Sequence, residues 1–174
     1  MSDNIKKLIE NELSILIGIR IRNFSRAALA LCVDFGDDVE YKYVTGPKAE
    51  EAYMASEFTI HVHSSWRLLK DDDICLSQDA LFNHMNGFKW CDKWEGETET
   101  ELFSEISGEL NEIFNNNAVR VVKIEATKFG DLKVYMEKDY CLELFVDSIG
   151  DTESWRFLRK EDNKSKHFVV FDEG

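Results

Sequence analysis

Two histidines, His61 and His63, have the residue type and spacing that many metal sites use. The run from Phe58 to Ser65 alternates apolar and polar residues, which is typical of a β-strand, so both imidazoles are expected on one face of it. A zinc site needs at least a third protein ligand. Four residues are candidates for that ligand: Cys75, Asp79, His84 and His167. The sequence places none of them near the histidine pair, so we expect no metal and no cofactor.

Nucleophilic catalysis is the second chemistry that these residues suggest, because Ser64 and Ser65 adjoin His63. The chain contains no Gly-x-Ser-x-Gly turn to expose such a serine, and its nine glycines form no phosphate-binding loop. We therefore predict that the protein is not an enzyme. The alternative is a small intracellular enzyme or metal-binding protein that uses His61, His63 and two strands with a Trp-Arg pair, Trp66-Arg67 and Trp155-Arg156.

A short motif occurs twice, as Ser65-Trp66-Arg67-Leu68-Leu69 and as Ser154-Trp155-Arg156-Phe157-Leu158. Successive side chains of a strand point to opposite faces, so each tryptophan is expected in the core and each arginine on the other face. Arginine in a half-buried strand usually pairs with an internal acid. A carboxylate-binding role for Arg67 and Arg156 is the alternative.

The negative charge is concentrated in one segment. Of the formal net charge of −13, the stretch from Cys91 to Ile113 contributes −7, with eight acidic residues against one lysine. Thr98 and Glu101 fit a capping box, which predicts that a helix begins there. Its buried stripe is predicted from Leu102, Ile106, Leu110 and Ile113, widened by Phe103 and Phe114.

Four glutamates of this helix recur at spacings of four, four and three, which lines them up along one face: Glu101, Glu105, Glu109 and Glu112. Like charges at these spacings repel and destabilise a helix by about 0.2–0.5 kcal/mol per pair. A solubilising surface normally mixes both signs of charge. We therefore predict a partner-binding face, with a merely solvated face as the alternative. Four preceding residues extend it: Asp92, Trp94, Glu95 and Glu97.

The remaining pattern predicts the α+β class, as a single domain at residues 1–174. An amphipathic helix is expected from Ile5 to Leu16, and strand signals dominate the C-terminal third. Phe35 to Asp38 is predicted to be a turn, and the run from Phe58 to Leu69 a single strand that reverses at Lys70 to Asp73. We expect one largely antiparallel, twisted sheet of about seven to nine strands with two main helices.

Composition restricts the partners. With 34 acidic residues against 21 lysines and arginines, the chain repels nucleic acid and anionic membranes, since each phosphate contact needs a cation. The longest apolar run, Ala27 to Val33, is far shorter than the roughly 20 residues of a membrane helix. The first residues form no apolar signal region, so a cytoplasmic location is expected.

The chain resembles small bacterial proteins of the toxin-immunity kind, such as the immunity partners in contact-dependent growth inhibition. The likeness rests on five segments: residues 60–67, 129–134, 142–145, 153–157 and 167–170. It implies a cytosolic protein whose partner is the C-terminal domain of a cognate toxin, and it assigns no role to individual residues. Because the substrate groove of a nuclease toxin is basic, an acidic surface suits such a partner. The sequence therefore predicts a non-catalytic inhibitor of a basic toxin domain, with a nuclease as the expected toxin.

Overall fold

The computed structural model describes residues 2–42, 52–82, 102–147, 152–161 and 164–171. Two helices lie in these ranges, α1 (Ser2–Leu13), extended by a 3-10 turn at Ser14–Leu16, and α2 (Leu102–Asn117). Ten strands accompany them: β1 (Ile21–Ala27), β2 (Ala30–Lys42), β3 (Ala52–Val62), β4 (Trp66–Lys70), β5 (Asp73–Ser77), β6 (Val121–Ala126), β7 (Leu132–Met136), β8 (Tyr140–Leu144), β9 (Glu153–Glu161) and β10 (Lys164–Phe171).

The strands form two antiparallel sheets of five strands each. The first sheet has the order β1-β2-β3-β9-β10 and the second the order β5-β4-β8-β7-β6. The predicted α+β class with two main helices is confirmed, while the strands that we expected in one sheet are divided between two. None of the described helices is both long and apolar enough to cross a lipid bilayer.

The division arises at His63, Ser64 and Ser65, where the predicted single strand from Phe58 to Leu69 is interrupted. β3 ends at Val62 in the first sheet, and the chain crosses to start β4 of the second sheet at Trp66. Alternation continues across the break because both strands send side chains into the same core. The predicted hairpin that follows is confirmed, since β4 pairs antiparallel with β5.

The predicted turn at Phe35 to Asp38 is wrong. β2 continues through it as one strand of 13 residues, and its register with β3 shifts between Phe35 and Asp38. Gly36 has a φ of 79° there, and its amide donates to the carbonyl oxygen of Arg20. A positive φ at glycine serves a β-bulge as readily as a turn.

One hydrophobic core joins the two sheets and both helices. It contains Ile9, Leu13 and Leu16 of the N-terminal helical segment, and Phe103, Leu110 and Phe114 of α2. Trp66 and Trp155 are 3% and 0% exposed in this core, as the repeated motif predicts. Ile113 is 42% exposed, so its predicted place in the buried stripe is wrong; Ser107 is buried on that side of the helix instead.

Candidate partner-binding face

Aromatic contacts fix the buried side of α2. The ring of Phe114 meets Phe24 of β1 edge-on at 5.3 Å and Tyr140 of β8 at 4.7 Å, so one residue of the helix touches both sheets. One end of the helix is held by Phe103, which packs edge-on against Trp66 at 6.2 Å. Contacts of this kind stabilise beyond the area that they bury, and they leave the helix one orientation.

Two asparagines attach α2 to the outer edge of β1. The Asn111 side chain accepts a hydrogen bond from the Phe24 amide at 2.7 Å and donates to the Phe24 carbonyl oxygen at 3.0 Å. Asn111 thereby satisfies the two backbone groups of Phe24 that a neighbouring strand would otherwise bind. One turn later, Asn115 Nδ2 donates to the carbonyl oxygen of Arg22 at 3.0 Å. The helix is therefore held both by its buried aromatic contacts and by these side-chain hydrogen bonds.

Glu105, Glu109 and Glu112 are exposed on the outward side of this fixed helix, as the stripe predicts. Within the described ranges, no lysine, arginine or histidine nitrogen lies within 4.0 Å of their carboxylates. The other predicted members of the face lie outside the described residues: Asp92, Trp94, Glu95, Glu97 and Glu101. The described part of the face thus presents three carboxylates without a neutralising neighbour.

Several acidic residues of the sheets are paired with cations. Asp37 pairs with Arg20 at 2.6 Å, and Asp38 accepts two hydrogen bonds from Arg22. Lys123 reaches Glu125 at 2.5 Å. Cations thus accompany several acids of the strands, although Glu40 and Asp73 have none, and the helix face differs in aligning three such acids in one row.

Both arginines of the repeated motif form structural ion pairs, as expected. Arg67 Nε donates to Glu143 Oε2 at 2.5 Å, and Lys133 Nζ lies 2.6 Å from Glu143 Oε1. Glu143 is only 4% exposed, and both of its buried carboxylate oxygens are paired with cations. Burial by itself raises the pKa of Glu143, but the hydrogen bonds from Lys133 and Arg67 outweigh it and hold that pKa below the usual value. Arg156 is hydrogen-bonded through Nε and Nη2 to Glu153.

Gly108 lies on the exposed side of α2, one turn from both Glu105 and Glu112. A Cβ atom built at this position would meet nothing within 4 Å. Packing therefore does not require glycine here, although glycine weakens a helix interior by roughly 0.5–1 kcal/mol relative to alanine.

The histidine pair of the alternative hypothesis lies at the outer face of the first sheet. His61 is paired across the ladder with Arg156, and His63 Nε2 lies 3.6 Å from Glu153 Oε1. Burial lowers the pKa of His61, and the neighbouring positive charge of Arg156 lowers it further. No group of three histidine, cysteine, aspartate or glutamate side chains in the described residues could hold a metal ion. Of the predicted third ligands, His84 lies outside these residues.

A groove of about 580 Å³ lies along this outer face, and sequence reasoning missed it. Its lining includes Cys32, Asp34, Thr59 and His61 of the sheet, together with Lys160 and with Asn115 of α2. Thr59 donates to Asp34 at 2.8 Å. Burial raises the pKa of the Cys32 thiol to about 11, so the thiol is protonated at neutral pH and is a poor nucleophile. Period-two alternation marks these residues, but only the strand pairing brings them together.

Comparisons with protein-family models, curated proteins and solved structures found no match to this chain.

Proposed function

We propose that this protein is a non-catalytic inhibitor of the immunity type, which binds and neutralises a basic toxin domain through the acidic face of α2. The single observation that carries the proposal is the row of three exposed acids on the described part of α2, which lacks the cations that accompany several acids of the strands. Glu105, Glu109 and Glu112 have no cation beside them in the described ranges, whereas Asp37, Asp38, Glu125, Glu143 and Glu153 are paired with cations.

An unneutralised acidic face suits a basic partner for two physical reasons. Its field attracts the partner during diffusion and raises the association rate, with strong dependence on salt. Its carboxylates also become paired only in the complex, so the like-charge repulsion within α2 is relieved there. The free protein tolerates this repulsion because packing, rather than its exposed side chains, holds the helix.

The rigidity of α2 and the presence of glycine at position 108 also support this proposal. The aromatic contacts of Phe103 and Phe114 and the hydrogen bonds of Asn111 fix the helix before binding, so little conformational entropy is lost when a partner docks. The absent side chain at Gly108 lets a partner approach the backbone of α2 closely. A glycine that the fold does not require is thereby explained.

The test is co-expression of the wild-type chain with the protein encoded by the adjacent gene, followed by co-purification and a growth assay. We expect a stable complex and protection against the toxin. Glu109→Lys/Glu112→Lys is expected to leave the fold intact, because it replaces the repulsion between positions 105 and 109 by attraction. It should slow association, make it less dependent on salt and weaken protection without lowering the amount of folded protein.

Glu40→Lys/Asp73→Lys is the matched control, since it changes the net charge equally at two other exposed acids. We expect it to bind and protect like the wild type. Equal losses in both double variants would assign the attraction to overall charge rather than to α2. Wild-type behaviour of the α2 variant would show that its face is only solvated, and failure of the wild type to bind would contradict the immunity role.

A further inference from the structure

The groove on the outer face of the first sheet contains a carboxylate that is oriented but not neutralised. Strand pairing places Asn23, Asp34 and Thr59 in one row across β1, β2 and β3. The Thr59 hydroxyl donates to Asp34 Oδ1 at 2.8 Å, and Asn23 Nδ2 makes a longer hydrogen bond to Oδ2 at 3.4 Å. Both donors are neutral, and no cation of the described ranges forms an ion pair with Asp34. A partly buried carboxylate in this state gains from a cationic hydrogen-bond donor.

This groove adjoins the acidic face of α2. Asn111 Nδ2 donates to Asn23 Oδ1 at 2.7 Å, so the helix fixes one of the two groups that orient Asp34. Asn115 lines the groove from the helix, and its Nδ2 donates to two backbone carbonyl oxygens. Both protons of this amide are thereby used, which leaves Asn115 Oδ1 as an acceptor. Glu112 precedes Asn115 by three positions and lies on the same side of the helix, so a partner docked on the acidic face reaches the groove.

The basic residues that line the groove differ in how they affect an incoming cation. The charge of Arg22 is compensated, since Asp38 accepts two hydrogen bonds from its guanidinium. His61 is neutral at pH 7, because burial lowers its pKa. Lys160 also lines the groove; burial lowers its pKa, and the charge of Asp34 opposes this effect. A cation at Asp34 would thus be attracted by the carboxylate and repelled by Lys160, so removal of each charge should have opposite effects on its binding.

We infer that an arginine side chain of the basic partner enters this groove and pairs with Asp34. The inference rests on the proposed function, since the partner would dock on the adjoining face of α2. A guanidinium group presents several N–H donors in one plane, which suits a carboxylate and a nearby acceptor such as Asn115 Oδ1. The groove volume of about 580 Å³ is ample for one side chain. Met54, which is 61% exposed and lines the groove, offers an apolar surface to the aliphatic part of an arginine.

Titration of the full chain with a capped arginine, followed by NMR, tests the groove without the partner. The probe is N-acetyl-L-arginine amide, and its matched control is N-acetyl-L-citrulline amide, which has nearly the same shape but no charge. We expect the arginine probe to shift the backbone amide signals of Asp34, Thr59 and Asn115, with a dissociation constant on the order of millimolar. The citrulline probe should bind about tenfold more weakly, because only a cation gains from the charge of Asp34.

Two variants of the groove should change this binding in opposite directions. Asp34→Asn keeps an acceptor for Thr59 and should weaken binding of the arginine probe about tenfold. Lys160→Met removes the like charge and should strengthen it about threefold. Asp73→Asn makes the same chemical change as Asp34→Asn at an exposed acid of β5 and should leave binding unchanged. Circular dichroism and thermal unfolding check each fold; if Asp34→Asn does not fold, Lys160→Met and the citrulline probe still decide.

Three results of the titration would overturn the inference. The first is an arginine probe that does not bind, and the second is a citrulline probe that binds equally well. The third is weaker binding to Lys160→Met, which would show that the groove prefers an anionic group. None of these results bears on the acidic face of α2, so the proposed function would stand without the groove.

The complex with the toxin domain tests whether the arginine belongs to the partner. Asp34→Asn should raise the dissociation constant of that complex about tenfold, mainly through faster dissociation, whereas Glu109→Lys/Glu112→Lys acts mainly on the association rate. An unchanged complex, together with binding of the arginine probe, would assign the groove to a small guanidinium compound and overturn the partner assignment. Failure of the wild type to bind the product of the adjacent gene would contradict the proposed function, and the partner assignment with it.

Discussion

Trp155 of the first sheet donates a hydrogen bond from Nε1 to the carbonyl oxygen of Gly130, 3.0 Å away in the turn between β6 and β7 of the second sheet. Gly130 has a φ of 94°, and a Cβ atom there would approach Val170 Cγ1 to 2.9 Å. The turn of one sheet is therefore packed tightly against two strands of the other. This contact fixes how the two sheets meet at that end of the core.

Two substitutions of Trp155 are expected to destabilise the protein to different extents. Trp155→Phe retains an aromatic ring but removes the donor to Gly130, so we expect a loss of about 1–3 kcal/mol in the free energy of unfolding. Trp155→Ala also creates a large cavity and should cost about 3–5 kcal/mol. Urea unfolding followed by circular dichroism measures both values.

Trp66→Phe is the matched control, because Trp66 is equally buried and its Nε1 has no hydrogen-bond partner in the described structure. Its loss should be smaller than that of Trp155→Phe by about 1 kcal/mol, the net contribution of one hydrogen bond. Equal losses would show that the bond to Gly130 contributes nothing. A loss below about 1 kcal/mol for Trp155→Ala would be incompatible with a core position.

Glu143 is expected to contribute to stability in a pH-dependent way. Its pKa lies below the usual 4.5 in the folded protein, because the hydrogen bonds from Lys133 and Arg67 outweigh the opposing effect of burial. Its contribution is therefore fully present above pH 4.5 and is lost as the pH falls through the folded pKa. We expect Glu143→Gln to lower the free energy of unfolding at pH 7 by about 1–2 kcal/mol.

Unfolding curves from pH 7 to acid measure this contribution as the difference between the wild type and Glu143→Gln. The difference should shrink as the pH is lowered, since protonation removes the same charge that the substitution removes. Subtraction also cancels the titration of the other carboxylates. A difference that stays constant down to acid pH would show that the charge of Glu143 does not stabilise the fold.

Local patterns could be predicted from the sequence because each depends on a few neighbouring residues. The Trp-Arg alternation placed Trp66 and Trp155 inside and their arginines outside, and α1 and the β4–β5 hairpin follow from periodicity. The partition into two sheets depends on long-range pairing, β3 with β9 and β4 with β8. Nothing in the alternation from Phe58 to Leu69 distinguishes a continuous strand from two strands that share a core.

The candidate partner-binding face could also be predicted only in part. Helical spacing correctly placed Glu105, Glu109 and Glu112 on an exposed face. It did not predict the attachment of α2 to β1, because Asn111 and Phe24 are 87 residues apart in the sequence. The same limit applies to glycine: Phe35-Gly36-Asp37 and Phe129-Gly130-Asp131 are identical triplets with positive φ at glycine, yet one forms a bulge within β2 and the other a turn.

Metal removal is expected to leave the protein unchanged. His61 and His63 are the best-spaced ligand pair, but His61 faces Arg156 across the ladder, and a cation beside it opposes metal binding. Protein purified without added metal should contain no stoichiometric zinc by elemental analysis, and a chelator should not alter its melting temperature. Loss of the fold on chelation would contradict this prediction and favour the histidine pair as a structural site.

Gly108 provides a test of the helix face that does not change its charge. Gly108→Ala should raise the free energy of unfolding by about 0.5–1 kcal/mol, because alanine favours the helix and its methyl group meets nothing within 4 Å. Gly36→Ala is the matched control: its φ is 79° and its Cβ would lie 2.7 Å from Glu57 Oε2, so it should destabilise the protein. Thermal and urea unfolding measure both changes.

The same Gly108→Ala variant distinguishes a binding face from a solvated one. If a partner approaches the backbone of α2 at Gly108, the added methyl group should weaken the complex while the free protein becomes more stable. A merely solvated face would show the gain in stability with unchanged binding. A loss of stability would show instead that the fold itself requires glycine at position 108, so that the glycine is no sign of a binding face.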